Sequence, residues 1–164
     1  FEVGGVSWTI RPATVQDVAA LVALRRVMFE AMGCRVAEAL DRMEEASALY
    51  FVRDLPSGAF CAWLAEENGR PVASIGLVVH DVPPSPWNAQ GREAYIMNLV
   101  TLPTHRRRGI AGALLDRVLA VVRSEGIPVA CLRATREGRR IYERAGFEID
   151  EDGPEMRLRV TSSR

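Results

Sequence analysis

The sequence has no lysine. All 21 of its basic residues are arginines, they are balanced by 21 acidic residues, and the formal net charge is zero. The missing lysine excludes the nucleoside triphosphate loop, which needs a Gly-Lys followed by Ser or Thr. The neutral balance excludes a global field that would favour nucleic acid or an anionic membrane, so positive charge can matter only locally. Cysteine is scarce as well. Cys34, Cys61 and Cys131 are odd in number, widely spaced and without metal-ligand pattern, which excludes a disulfide framework and fits a reduced, cytoplasmic setting with no metal. No apolar run approaches the ~20 residues needed to span a bilayer. Repeats, low-complexity tracts and linkers are also lacking. The 164 residues, 48% hydrophobic and 26% charged, therefore read as one domain over 1–164 with a proper core. The chain does not open on methionine, and residues 1–6 are expected to be a trimmed or appended start outside the fold.

What is present centres on the stretch from Val100 to Leu115. An apolar run, Ala94 to Val100, enters it as a buried strand. A helix leaves it, with Ile110, Ala111, Leu114, Leu115, Val118 and Val122 at i, i+3, i+4 spacing. Between them lies a basic turn containing glycine. The first amides of a helix have no internal partner, and the helix dipole adds partial positive charge there, so a strand, turn and helix start of this kind bind anions. Gly109 and Gly112 remove the Cβ atoms that would keep phosphate oxygens from the backbone. Arg106, Arg107 and Arg108 alone would read as a solvated basic turn. With Gly109 and Ala111 in this context they read as a phosphate site.

In order along the chain, Ser7 to Arg11 reads as a strand stopped by Pro12. Thr14 with Asp17 forms a capping box for a helix running to Met32, whose stripe comprises Val18, Leu21, Val22, Leu24, Arg25, Met28 and Phe29. A second helix spans Val36 to Arg53, with Ala37, Leu40, Met43, Ala46 and Leu49 on its inner side, and Pro56 to Gly58 form a turn. Ala59 to Glu66 and Pro71 to His80 form a hairpin around Asn68-Gly69. Asp81 to Gly91 is a proline-rich loop carrying Trp87, and Glu93 to Val100 is the central strand. After the helix from Gly109 to Glu125 comes a short buried strand, Val129 to Leu132, parallel to its predecessor. A helix from Arg136 to Ala145 is ended by Gly146, and Met156 to Val160 alternates as a final half-exposed strand.

Two motifs carry a resemblance. Arg106-x-x-Gly109-x-Ala111, preceded by Pro103 and a strand, resembles the acyl-CoA pyrophosphate loop of the GNAT superfamily of N-acetyltransferases. Downstream, Gly138-Arg-Arg-Ile-Tyr142-Glu-Arg-Ala-Gly146-Phe147 is similar to that family's Tyr-x-x-x-Gly-Phe helix end. The likeness extends from about Trp8 to Val160. It implies an α/β fold with a single mixed sheet of about six to seven strands and about four helices. The N-terminal half of that sheet is antiparallel, and its fourth and fifth strands are parallel and splay apart to admit the pantetheine arm.

The resemblance implies acetyl-CoA as co-substrate and a primary amine of a small molecule or peptide as acceptor. It also implies direct attack in a ternary complex, and a homodimer in some members. The amides of Arg108, Gly109, Ile110, Ala111 and Gly112 would hold the pyrophosphate, with the side chains of Arg106 and Arg107 contributing. The backbones of Leu99, Val100 and Thr101 would pair with pantetheine as an added strand. A bulge near Asn98 would aim the amide of Val100 or a neighbour at the acetyl oxygen, where charge develops. Tyr142 would protonate the departing thiolate. Thr135 stands where many members carry an asparagine that contacts the cofactor. Glu93 and Tyr95, which share a strand face with Met97, are candidates for the base, with His80 and Asp81 behind them. His105 reads as a solvated loop histidine. Trp87 and Tyr50 read equally as acceptor pocket or as packing, and no acidic cluster calls for a polycationic aminoglycoside. The rival readings are a catalytically silent acyl-CoA sensor of the same fold and, more distantly, a nucleotide-binding regulator.

Overall fold

The computed structural model describes residues 7–151 and 156–158. The chain divides into two compact units, residues 1–133 and 134–164. The first unit carries one sheet in the order β1 (Trp8–Pro12), β2 (Cys61–Glu67), β3 (Arg70–Asp81), β4 (Arg92–Thr101) and β5 (Val129–Leu132). The first three pairings are antiparallel, and β4 pairs with β5 in parallel. The mixed sheet is therefore as expected, with five strands among the described residues. Of the expected final strand, Met156–Leu158 has no strand structure, and Arg159 and Val160 lie outside the described residues.

Both faces of the sheet are covered, which is why Ala62–Ala65 and Val72–Leu77 are buried at consecutive positions rather than alternately. On one face, α1 (Val18–Ala31) and α2 (Ala37–Ser57) bring Leu21, Leu24 and Phe51 against Phe60, Ala62, Leu64 and Val100. On the other, α3 (Ile110–Ser124) packs on β2, β3 and β4 through Ile110, Leu114, Leu115, Val118 and Val122. The capping box forms as read: Thr14 N–H donates to Asp17 Oδ2 at 2.7 Å, and Gln16 N–H donates to Thr14 Oγ1 at 3.3 Å. It starts a 3-10 turn, Val15–Asp17, that runs into α1. The Asn68-Gly69 turn also forms, with both residues at positive φ, 52° and 72°.

Three local expectations need correction. Helix α2 continues through Pro56 to Ser57 and ends at Gly58 in the left-handed region at φ 74°. A proline removes one amide bond, and the last turn tolerates that loss when the core holds the helix down. Leu49 is 75% exposed, because the inner face of α2 runs through Leu40, Ser47 and Phe51 instead. In the second unit, α4 is shorter than expected, Arg139–Arg144.

The feature that positions the site is a bulge. Val100 pairs with Ser74 and Met97 with Gly76, so Asn98 and Leu99 on β4 face the single residue Ile75 on β3. Asn98 takes the left-handed conformation, φ 56°, which asparagine tolerates better than other non-glycine residues. The extra residue switches the parity of the strand. Met97 and Val100, three apart, pack into the same cluster under α1 and α2. Pairing with β5 ends at Ile96, while β4 continues to Thr101, so among the described residues no strand covers the β5-side edge of the bulged segment.

Candidate acyl-CoA site

Strand β4 delivers the chain to the basic turn, and the turn delivers it to α3. A 3-10 turn, Pro103–His105, is followed by Arg107 at φ 60° and Gly109 at φ 80°. Two left-handed residues this close fold the chain back so that α3 can start at Ile110. Helical bonding begins with Ala113 N–H donating to Gly109 O at 3.1 Å, so the amides of Ile110, Ala111 and Gly112 precede the ladder. The Ile110 side chain is buried in the core, which pins this end of the helix. A Cβ on Gly109 or on Gly112 would meet nothing within 4 Å, so both glycines border open space. At the end of β4, Thr101 Oγ1 is buried without a hydrogen-bond partner. Unpaired helix amides, open glycine surfaces and an orphaned hydroxyl at the end of β4 fit an anionic ligand with an extended polar arm.

The three arginines divide the work. Arg108 is turned back: its Nη2 donates to Glu67 Oε1 at 2.5 Å. Glu67 Oε2 lies 3.0 Å from His105 Nε2, whose Nδ1 lies 2.8 Å from Thr104 Oγ1. Arg108 holds the Glu67 carboxyl below the usual carboxylate range, and His105 adds to this. His105 is thus a bonded strut of the turn rather than a solvated histidine. Arg106 Nε donates to Thr101 O at 3.2 Å and remains exposed, as does Arg107. Those two carry the outward-facing charge.

The other sequence candidates fall as follows. Glu93 pairs in register with His80, with 3.7 Å between Glu93 Oε2 and His80 Nε2. Tyr95 pairs with Cys131, and its ring centroid lies 5.9 Å from the Arg133 guanidinium carbon. Tyr50 and Trp87, which sequence could not separate, are separated here. The Tyr50 ring packs edge-on against Phe60 at 5.5 Å, whereas Trp87 is 89% exposed. The Trp87 loop is ordered by Asn88, whose Nδ2 donates to Arg92 O at 3.1 Å and whose Oδ1 accepts from Gly91 N–H at 3.0 Å.

In the second unit, the Tyr-x-x-x-Gly-Phe pattern has a physical meaning of its own. Phe147 N–H donates to Tyr142 O at 3.0 Å and Gly146 N–H to Glu143 O at 3.1 Å, with Gly146 at φ 95°. This is a Schellman closure of α4, and the Tyr142 and Phe147 rings make its apolar contact at 6.1 Å between centroids. Burial pushes the Tyr142 phenol above its usual value, so it stays protonated at neutral pH. Thr135 Oγ1 accepts from Gly138 N–H at 3.1 Å and so ties down the start of this segment.

Sequence reasoning missed two participants. Glu67 gave no local signal, because it meets Arg108 only through the hairpin. Arg25 did give one, a charge inside the apolar stripe of α1. Its Nη1 donates to Asn98 Oδ1 at the bulge.

A bulged central strand in a mixed sheet, running into a glycine-bearing helix start, defines an α/β protein with a candidate anion site at the start of α3. The chain belongs to the Acetyltransferase (GNAT) family, whose sequence profile matches residues 21–147. Among curated proteins none matches the chain in sequence. Among solved structures it resembles a GCN5-related N-acetyltransferase from Ralstonia eutropha at 34% identity and a TM-score of 0.85, over 94% of this chain and 99% of that one. It also resembles a predicted acetyltransferase from Clostridium acetobutylicum crystallised with acetyl-CoA, at 30% identity and a TM-score of 0.83, over 93% and 97% of the two chains. An aminoglycoside acetyltransferase from an uncultured soil sample shares the fold at 23% identity and a TM-score of 0.68, over 94% and 99%. Among the described residues no helix is long and apolar enough to cross a membrane.

Proposed function

We propose that this chain, acting as a single acetyltransferase domain, transfers an acetyl group from acetyl-CoA to a primary amine of a small molecule or peptide. The observation that carries the reading is the bulge at Asn98, which interrupts β4 where its pairing with β5 has ended. Acetyl-CoA supplies the activated thioester. The amides of Ile110, Ala111 and Gly112, with Arg108 and Gly109 leading into them, bind its pyrophosphate, and Arg106 and Arg107 add charge. Leu99, Val100 and Thr101 hold the pantetheine arm through backbone pairing, and Thr101 Oγ1 gains the partner it lacks. The Val100 amide, re-aimed by the bulge, donates to the acetyl oxygen as charge builds there.

The acceptor must lose a proton to attack. Glu93 or Tyr95, acting through a water, takes that proton, and His80 Nε2 lies 3.7 Å from the Glu93 carboxylate. Tyr142 gives a proton to the thiolate as the carbon–sulfur bond breaks. Burial keeps the phenol in its protonated form, the form a proton donor needs. Acetyl passes directly from sulfur to nitrogen, with no acyl-enzyme.

The test has two parts. Acetyl-CoA and CoA should each raise the melting temperature, while ATP should not. Free thiol should then be released when a panel of amines is added. Stabilisation by CoA without release for any amine would leave a silent acyl-CoA sensor. No stabilisation by CoA would overturn the site itself.

A further inference from the structure

Arg25 is unusual among the arginines of this chain. Arg11, Arg26, Arg53 and Arg108 are each held by a carboxylate at 2.5 to 2.9 Å. Arg25 is partly buried in the middle of α1 and has no carboxylate partner among the described residues. Its guanidinium carbon lies 5.0 Å from the Phe29 ring centroid. Nη1 donates to Asn98 Oδ1, Nε is buried without a partner, and Nη2 has none among the described residues. A cation taken out of water without an anion is costly, and here burial pulls the Arg25 pKa below its ordinary value. An apolar residue at this position would extend the stripe of Leu21, Leu24 and Met28 without that cost.

Resting on the reaction proposed above, we propose that Arg25 is a specificity-determining residue. The Nη2 end of its guanidinium takes an oxyanion on the acceptor, so the acceptor is an amine that also carries a carboxylate or phosphate. The placement supports this. Arg25 reaches the bulge residue itself, and the bulge lies beside the backbone that receives the acetyl arm. An acceptor with its amine at that point has its anionic group within a few bonds of the guanidinium. Nη2 and the second hydrogen of Nη1 lie in one plane, which matches a carboxylate or two phosphate oxygens. A polycationic acceptor would instead be repelled by the same charge.

The experiment compares matched acceptors on the full chain: an α-amino acid, its amide, the amine lacking the carboxylate, and an aminoalkyl phosphate. The wild type should favour the acidic acceptors, and comparison of the amino acid with the aminoalkyl phosphate shows which oxyanion fits. In Arg25→Gln the kcat/KM ratio of acidic to neutral acceptor should fall roughly 10- to 100-fold, as expected when a charge-assisted contact is lost, with Arg25→Lys intermediate. A residue that only braces Asn98 would change all acceptors in proportion and leave that ratio fixed, which would overturn the proposal. Calorimetric titration of the CoA-loaded wild type and Arg25→Gln with the same compounds gives a second readout that needs no turnover. If no acidic acceptor binds the CoA-loaded wild type more tightly than its neutral counterpart, the assignment of Arg25 fails while the CoA site stands. If CoA itself does not bind, the underlying reaction fails and the assignment with it.

Discussion

Glu67, the last residue of β2, accepts from Arg108 at 2.5 Å and so fastens the β2–β3 hairpin to the turn that begins α3. Arg108 is one of three consecutive arginines, and this contact decides which of them can face a ligand. It also braces a turn that contains two left-handed residues, Arg107 and Gly109. The same carboxylate takes His105, so two residues of the turn are anchored to one side chain.

Glu67→Ala should therefore weaken acetyl-CoA binding roughly five- to tenfold, although Glu67 itself would repel the ligand, because preorganisation of the turn is lost. Binding calorimetry checks this, and tighter binding in the variant would show that Glu67 acts only as a repulsive charge. The pH dependence has a definite sign. The folded-state pKa of Glu67 is depressed, so the stabilisation is present above the ordinary carboxylate range. It is lost as pH falls through that range toward the folded value. Melting curves of wild type and variant should converge on acidification.

Gly109 sits at φ 80° next to open space. Gly109→Ala should cost about 1 kcal/mol in stability from backbone strain alone. Gly109→Asp should in addition raise the Kd for CoA roughly 100-fold, since it sets a negative charge at the proposed phosphate site. Retained affinity in the aspartate variant would mean that the helix start is not the anion site.

Tyr142→Phe removes the proton and little else, since the ring contact with Phe147 survives. With the acceptor amine in hand, kcat should fall roughly 10- to 100-fold and KM for acetyl-CoA should change much less. Because burial raises the phenol pKa, the wild-type rate should hold to high pH and decline only above the ordinary tyrosine range. An unchanged kcat in the variant would remove the acid role.

Gly76 pairs with Met97 beside the bulge, and a Cβ there would lie 2.6 Å from Phe60 Cζ. Phe60 is fully buried and packs against both Tyr50 and Phe51. Gly76→Ala should destabilise by about 1–3 kcal/mol through overpacking, lowering Tm by roughly 3–10 °C. The double variant Gly76→Ala/Phe60→Leu should recover part of the loss. Thermal denaturation of the two variants decides whether this close approach is required.

The elements most legible in sequence were those with a local chemical cause. The Thr14–Asp17 box, the Asn68-Gly69 turn and the Gly109 helix start each depend on residues a few positions apart, and each formed where the residues put it. Asn98 was a reasonable place to look for a disrupted strand, because asparagine tolerates positive φ. Less legible were faces and ends that neighbours decide. Leu49 matched a helical stripe yet faces water, because the contact of α2 with β2 is made one face over, at Phe51. Pro56 marked a turn by composition, yet the helix runs past it before Gly58 reverses the chain.

By itself the sequence determined the order of elements, the parallel step from β4 to β5, and the glycine-bearing turn that starts α3, because hydrophobic period, capping and glycine placement act over a few residues. Only the tertiary structure decided that Arg108 belongs to Glu67 and that Arg25 belongs to Asn98. Those contacts span 41 and 73 positions along the chain. Such partners are set by how the sheet brings distant strands and helices together, and no local pattern encodes that distance.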